Sequence, residues 1–386
     1  MKAILREAAG EARRLRRDVG ALLVLVGAMF LYAVLYPVPY RHEVLDEVPI
    51  AIVDLDGSDM GRDLARMADA HQLLSVAAHP SSVEEAARLV REGKAGGFLV
   101  VPPGFERQVR RGERATVAGY ADAGYFLVYR QVLTGFSETV GTLSAGIEIR
   151  RLQGEGLPRT LAVGARDPLP LSTRPLFNRT EGYATYVVPG VLVLILQQTL
   201  LVGIGMVGGT RRERKENAGG GRREAEGGLL DAAAKVIGRA AVYLPLYAVH
   251  ALFYFGVVYA LYGFPAKCPA AGLAWFVLPF LLASIFLALT LRGLFHAREA
   301  SIHLLLWTSL PAIFLAGFAW PVEALPRWLA AAGQSLPSTS AIPGVIRMTQ
   351  MGATLAQVRA EWWVLWVLAG LYFATACLAA RLSPEP

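Results

Sequence analysis

The sequence predicts an all-α membrane bundle of six transmembrane helices with an inserted extracytoplasmic α/β domain. Three observations predict it. Six stretches free of Asp, Glu, Lys and Arg are each long enough to cross a bilayer, the basic residues cluster in alternate connections, and the one long connection reads as strand, helix, strand, helix. The composition agrees: of 386 residues, 54% are hydrophobic and only 18% charged, against about 25% charged in soluble domains.

The charge-free stretches are Val19–Tyr40, Gly182–Thr210, Ala240–Ala266, Cys268–Leu291, Ser301–Val322 and Trp362–Ala380. A hydrocarbon core of roughly 30 Å needs about 20 helical residues, and lipid offers unpaired backbone groups no partner, so each reads as a helix. The first is too long for the hydrophobic region of a signal peptide and lacks a small-x-small cleavage site after it, so it reads as an anchor.

Short loops rich in Lys and Arg stay in the cytoplasm. The first 18 residues carry Lys2, Arg6, Arg13, Arg14, Arg16 and Arg17, and seven more basic residues lie between Arg211 and Lys235. Both termini are therefore expected in the cytoplasm of a bacterial cell, with the protein in its inner membrane. The net charge of +7 follows from this topology and does not call for nucleic acid. Cys268 and Cys377 are expected to be unpaired.

Residues 41–181 are then expected outside. "VPIAIVDLD", "LLSVAAH", "GGFLVVP" and "ATVAGYAD" read as strands. "SDMGRDLARMADAH", with Ser58 as cap, and "SSVEEAARLVREGK", with Ser81 and Ser82, read as helices. A short helix with Pro103 at its start lies before the fourth strand, and a long helix runs from Tyr125 to Leu152. The alternation predicts a small, mostly parallel sheet. "AIVDLDGSD" also imitates the first loop of haloacid-dehalogenase-type phosphatases, in which paired aspartates carry phosphoryl transfer. Here Lys94 is the domain's one lysine, in a helix-to-strand turn, and Asp122, after the fourth strand, has no acidic pair beside it. Asp54 and Asp56 therefore read as turn residues, with Gly57 allowing the tight turn.

Several motifs resemble one family, the six-span permease subunits of type-2 ABC exporters with a large extracytoplasmic domain after the first span. They are "IVDLDGSD", "GKAGGFLVVPPGFERQVRRG", "YVVPGVLVLILQQT" and, most specifically, "GFAWPVEALPRWLAAAGQSLPSTSAIPGVIRMTQMG". In this last block Pro321, Pro326, Pro337 and Pro343 are expected to cut the chain into pieces too short to span, with Pro326 in a first helical turn and Trp328 at the interface. An outer re-entrant or surface-lying helical pair follows, assigned to 321–361.

The resemblance implies a cytoplasmic coupling segment at 208–239 that docks on the ATPase. Its charged start is Arg211, Arg212, Glu213, Arg214, Lys215 and Glu216; the family's Gly-Thr and acidic helix are replaced here by a glycine run. The helix before the first span, with Ile4, Leu5, Ala8, Ala12 and Leu15 on one side, reads as interfacial. None of the five lysines is followed by Ser or Thr, so there is no P-loop. The chain is expected to bind no cofactor, with ATP and Mg held by the partner ATPase.

Polar residues inside spans are costly and often functional. Gln197, Gln198, Thr199, Tyr243, Tyr247, His250, Thr290, His303, Thr308 and Ser309 are the candidates for a substrate path, or for bonds between helices. Expected partners are ABC ATPase subunits, a second permease copy or paralogue, membrane lipid and a periplasmic adaptor protein. The substrates are expected to be amphipathic drug-like or lipid-like molecules moved outward. The rival reading is a membrane-anchored receptor or assembly protein whose outer domain binds a ligand.

Overall fold

The computed structural model describes residues 1–40, 44–167, 169–170, 173–179, 181–217, 228–292, 295, 298–317 and 320–382, with side chains undescribed at 211–217, 300, 304 and 305. The chain divides into two compact units, one of Met1–Glu43 with Pro175–Pro386 and one of Val44–Arg174.

The inserted unit is a three-layer α/β domain. β1 (Val48–Asp54), α3 (Asp59–Asp69), β2 (Leu74–Ala78), α4 (Val83–Arg91), β3 (Gly97–Val101), α5 (Phe105–Arg110), β4 (Ala118–Ala121), α6 (Phe126–Gly154) and α7 (Arg159–Arg166) follow in order. The sheet order is β2-β1-β3-β4. β1 lies parallel to β2 and β3, whereas β4 returns antiparallel along β3 with Phe98 opposite Tyr120.

Strand alternation sorts the core. Ile50 and Ile52 point toward Ala68 of α3 and Val132 and Phe136 of α6; Ala51 and Val53 point toward Ala86 of α4. Caps set where the helices begin. The Ser58 hydroxyl accepts the Gly61 amide at 3.1 Å and the Ser82 hydroxyl the Glu85 amide at 3.2 Å, while Glu85 reaches back to the Ser81 amide at 3.0 Å. Two details depart from expectation. α5 starts at Phe105, because Gly104 at φ 79° turns the chain after Pro103. α7 lies where only an irregular descent was expected.

The other unit is helical. α1 (Lys2–Arg17) precedes α2 (Val19–Tyr40), and after the insertion come α8 (Tyr183–Asn217), α9 (Leu229–Tyr262), α10 (Ala270–Arg292), α11 (Arg298–Leu315), α12 (Arg327–Gly333), α13 (Pro337–Thr349) and α14 (Arg359–Leu382). α2 and α9 each contain a π turn, at Leu23–Gly27 and Phe253–Val258. α8 is apolar on every side over Tyr183–Thr210 and buried along most of that length. It is the central helix, packed by α2, α10, α11 and α13.

Among the described residues five helices are long and apolar enough to cross a membrane: α2, α8, α9, α10 and α14. The stretch expected to form a fifth span over Ser301–Val322 is shorter. Its apolar helix runs Ser301–Leu315, about 22 Å at 1.5 Å per residue, because the chain turns at Gly317 with φ 71°. The segment 208–239, expected to serve coupling, is helical to Asn217 and again from Leu229; 218–227 lie outside the described residues.

Candidate coupling and transport site

Among the described residues, three of the polar clusters in the membrane unit join helices far apart in the chain, where apolar surroundings leave polar groups no other partner. The first joins α1 to the ends of α9 and α10. Glu11 is fully buried. Its Oε1 accepts from Arg292 Nη1 at 2.6 Å and from the Tyr243 hydroxyl at 2.8 Å, and its Oε2 pairs with Arg14 at 3.0 Å. Glu7 pairs with Arg239 at 2.9 Å.

Burial alone would raise the Glu11 carboxyl. The Arg292 and Arg239 guanidiniums outweigh it and hold the group at about 2. α1 approaches so closely that a Cβ on Gly238 would stand 2.8 Å from the Ile4 carbonyl oxygen. The helix read as interfacial therefore has a charged, buried face: Leu15 and Glu11 lie inside, while Leu5 is exposed. Glu7, Glu11 and Arg14, at helical spacing, carried that signal in the sequence.

The second cluster sits just below, between α1 and α2. Asp18 caps α2 by accepting the Ala21 amide at 3.0 Å, and it holds Arg298 at 3.2 Å and the Thr210 hydroxyl at 3.1 Å. The starts of α2 and α11 are thus tied to the apolar end of α8. The Arg298 guanidinium lies against Gly20, where a Cβ would have to displace it.

The third cluster places α13. Gln197 of α8, fully buried, accepts the Ser338 amide at 2.8 Å and donates to the Ser338 hydroxyl at 3.1 Å. Twelve residues on, Gln350 donates to the Thr185 carbonyl at 2.6 Å. Equal and opposite steps along the two helices mean that α13 runs antiparallel beside the first half of α8. It is buried along nearly its whole length, and a Cβ on Gly344 would overlap Phe276 of α10. Pro337 opens this helix, as its missing N–H allows, whereas Pro343 lies inside it. Pro343 therefore does not cut the segment, contrary to expectation. Pro321 and Pro326 stand before a 3₁₀ turn (Val322–Ala324) and α12, with Trp328 exposed.

Of the expected path residues, Gln197, Tyr243, Tyr247 and His250 are buried and Gln198 is half-buried. The Tyr247 hydroxyl donates to Thr199 at 2.9 Å, and the Tyr247 and His250 rings meet edge to face. Gln198 Oε1 and His250 Nδ1 have no hydrogen-bond partner among the described residues. His303 and Thr308 lie on the exposed side of α11, His303 bonded to its own helix at Glu299. Thr290 bonds the Tyr372 carbonyl at 3.2 Å, joining α10 to α14. Side chains of Arg211, Arg212, Glu213, Arg214, Lys215 and Glu216 lie outside the described residues; their backbone continues α8. Both cysteines are free.

In the inserted domain the aspartates serve the backbone. Asp54 Oδ1 accepts the Asp56 and Gly57 amides, both at 3.0 Å. Asp56 accepts the Gly104 and Glu106 amides at 2.6 and 3.0 Å, tying β1 to the start of α5. The Ser58 hydroxyl and those amides hold the Asp56 carboxyl below the usual aspartate range. Lys94 pairs with Glu92 at 2.8 Å, and among the described residues no three His, Cys, Asp or Glu group as metal ligands.

Residues 20–378 match the family model described as ABC-2 family transporter protein. The chain belongs to that family. No curated protein matches it. This ABC-2 transporter protein is accordingly a multi-pass membrane permease subunit, a transport component that is not itself catalytic and works with an ABC ATPase subunit. Sequence reasoning missed Glu11, Arg239, Arg292, Ser338 and Gln350, whose roles depend on partners far along the chain.

Proposed function

We propose that this permease drives outward movement of amphipathic drug-like or lipid-like molecules, with both termini cytoplasmic and α11 serving as a sixth, short span. Two permease chains, identical or related, surround the path, and an ATPase subunit docks on each. The inserted domain stands outside and meets substrate or a periplasmic adaptor protein. α12 and α13 form the re-entrant pair.

The observation that carries the coupling part is the unbroken course of α8. One helix runs from the Gln197 clasp, through the apolar core, into the charged turn Arg211–Asn217. A push on that charged end moves a stiff rod whose other half holds α13. Two further observations support the path and its cargo. Gln198 and His250 keep buried polar atoms unpaired within the apolar interior, and an apolar cavity of about 640 Å³ opens between α9 and α10 beside Leu252, Phe255 and Trp275.

The test is reconstitution with the partner ATPase. Inserting Gly-Gly after Thr210 breaks the rod while keeping every charged residue. ATP hydrolysis should continue, while export of an amphipathic dye from proteoliposomes falls at least about tenfold. Export at the wild-type rate would overturn the coupling claim.

A further inference from the structure

A basic pocket lies where α1 meets the end of the apolar part of α8. It has a volume of about 370 Å³ and is lined by Gly10, Arg13, Arg14, Arg17, Asp18, Val207 and Thr210. We infer that it binds the phosphate headgroup of an anionic phospholipid.

Charge comes first. Arg14 is engaged by Glu7 and Glu11, and the Asp18 carboxylate by Ala21, Arg298 and Thr210. Among the described residues Arg13 bonds the Ala9 carbonyl alone, through Nε at 3.2 Å, and Arg17 has no carboxylate partner. Both are exposed. The pocket therefore presents two guanidiniums whose forks match phosphate oxygens bidentately.

Position selects a lipid as the phosphate's carrier. Arg17 stands two residues before the apolar run of α2 begins, and Thr210 ends the apolar run of α8. The pocket is thus at the polar–apolar boundary of two membrane helices, the level of headgroups, with Val207 as an apolar wall. From that level Val19, Leu23, Phe30 and Val34 expose a stripe along α2 at spacings of four and seven, a surface for acyl chains that a soluble anion would not use. The buried cluster around Glu11 fixes α1 against α9 and α10, so the arginines are held in place before the headgroup arrives.

Native mass spectrometry of the full-length chain in detergent tests this, with phosphatidylglycerol, phosphatidylcholine and glycerol phosphate as probes. The readout needs neither ATPase nor transport, so it stands or falls separately from the proposed function. Phosphatidylglycerol should bind in preference to phosphatidylcholine. The double variant Arg13→Gln, Arg17→Gln should lose at least about tenfold in affinity, since each arginine removed takes a charge-assisted fork on the phosphate with it. Arg6→Gln, Arg16→Gln, which removes equal charge outside the pocket, should bind like wild type. Three results overturn the inference: less than a twofold loss in the first variant, an equal loss in the second, or displacement of the lipid by glycerol phosphate at equal concentration.

Discussion

Glu11 shows how one carboxylate decides the fate of an entire helix. It is fully buried beside Arg292, itself almost entirely buried, and accepts the Tyr243 hydroxyl. Arg239 and Glu7 pair alongside, and Arg14 closes the outer side. The folded carboxyl titrates at about 2, against 4.5 for the free group. A depressed value means stability that is complete above about 4.5 and lost as pH falls toward 2, worth about 3 kcal/mol. Docking of α1 should therefore be constant from pH 8 to pH 5 and weaken only below pH 4.5. Glu11→Gln takes the carboxylate out of a buried ion pair with Arg292, which costs about 3–5 kcal/mol. Hydrogen exchange along α1 checks both. The variant should exchange at least tenfold faster at pH 7, and a variant whose α1 stays as protected as wild type would refute this role.

At the scale of elements, α13 is the informative one, because a proline-rich stretch that reads as broken pieces packs as one buried helix. Pro343 is tolerated there since the residues around it are held from outside: Gln197 satisfies the first amide and hydroxyl, and Gln350 reaches back to α8. Gln197→Leu removes both bonds to Ser338 and leaves a buried helix start unsatisfied, a cost of about 1–3 kcal/mol. Faster exchange confined to 338–341, with a lowered melting temperature, is the expected result; unchanged exchange would show that packing alone places the helix. The long spans were legible from the absence of charge, and the strands of the inserted domain from alternation and serine caps, since both signals are local. The clasp was not, because Gln197 and Ser338 are 141 residues apart and periodicity says nothing of such pairs. The short α11 was overestimated for a related reason: hydropathy continues past Gly317, but the backbone turns there.

Taken whole, the molecule combines two solutions to burying apolar surface, and they differ in what they require of the solvent. In the membrane unit Leu23, Leu31, Val34, Trp307, Leu310 and Leu371 are exposed, a surface stable only against lipid or another chain. The inserted unit, Val44–Arg174, closes its own cores: Ile50, Ile52, Leu99 and Phe136 on one face of the sheet, Ala51, Val53, Ala86 and Phe98 on the other, and Leu64, Val101, Phe105 and Leu143 around α5. A domain of this length buries about two thirds of the surface its unfolded chain exposes, enough for independent stability. Its first loop is secured from within, by Asp54 and Asp56 on backbone amides and Ser58 on α3. Residues 44–174 expressed alone should therefore be monomeric in water without detergent and melt in one cooperative transition, followed by circular dichroism. Asp56→Ala should lower that melting point by several degrees, as the amides of Gly104 and Glu106 lose their acceptor. Aggregation or a gradual, non-cooperative melt would mean that the insertion depends on the membrane unit for its fold.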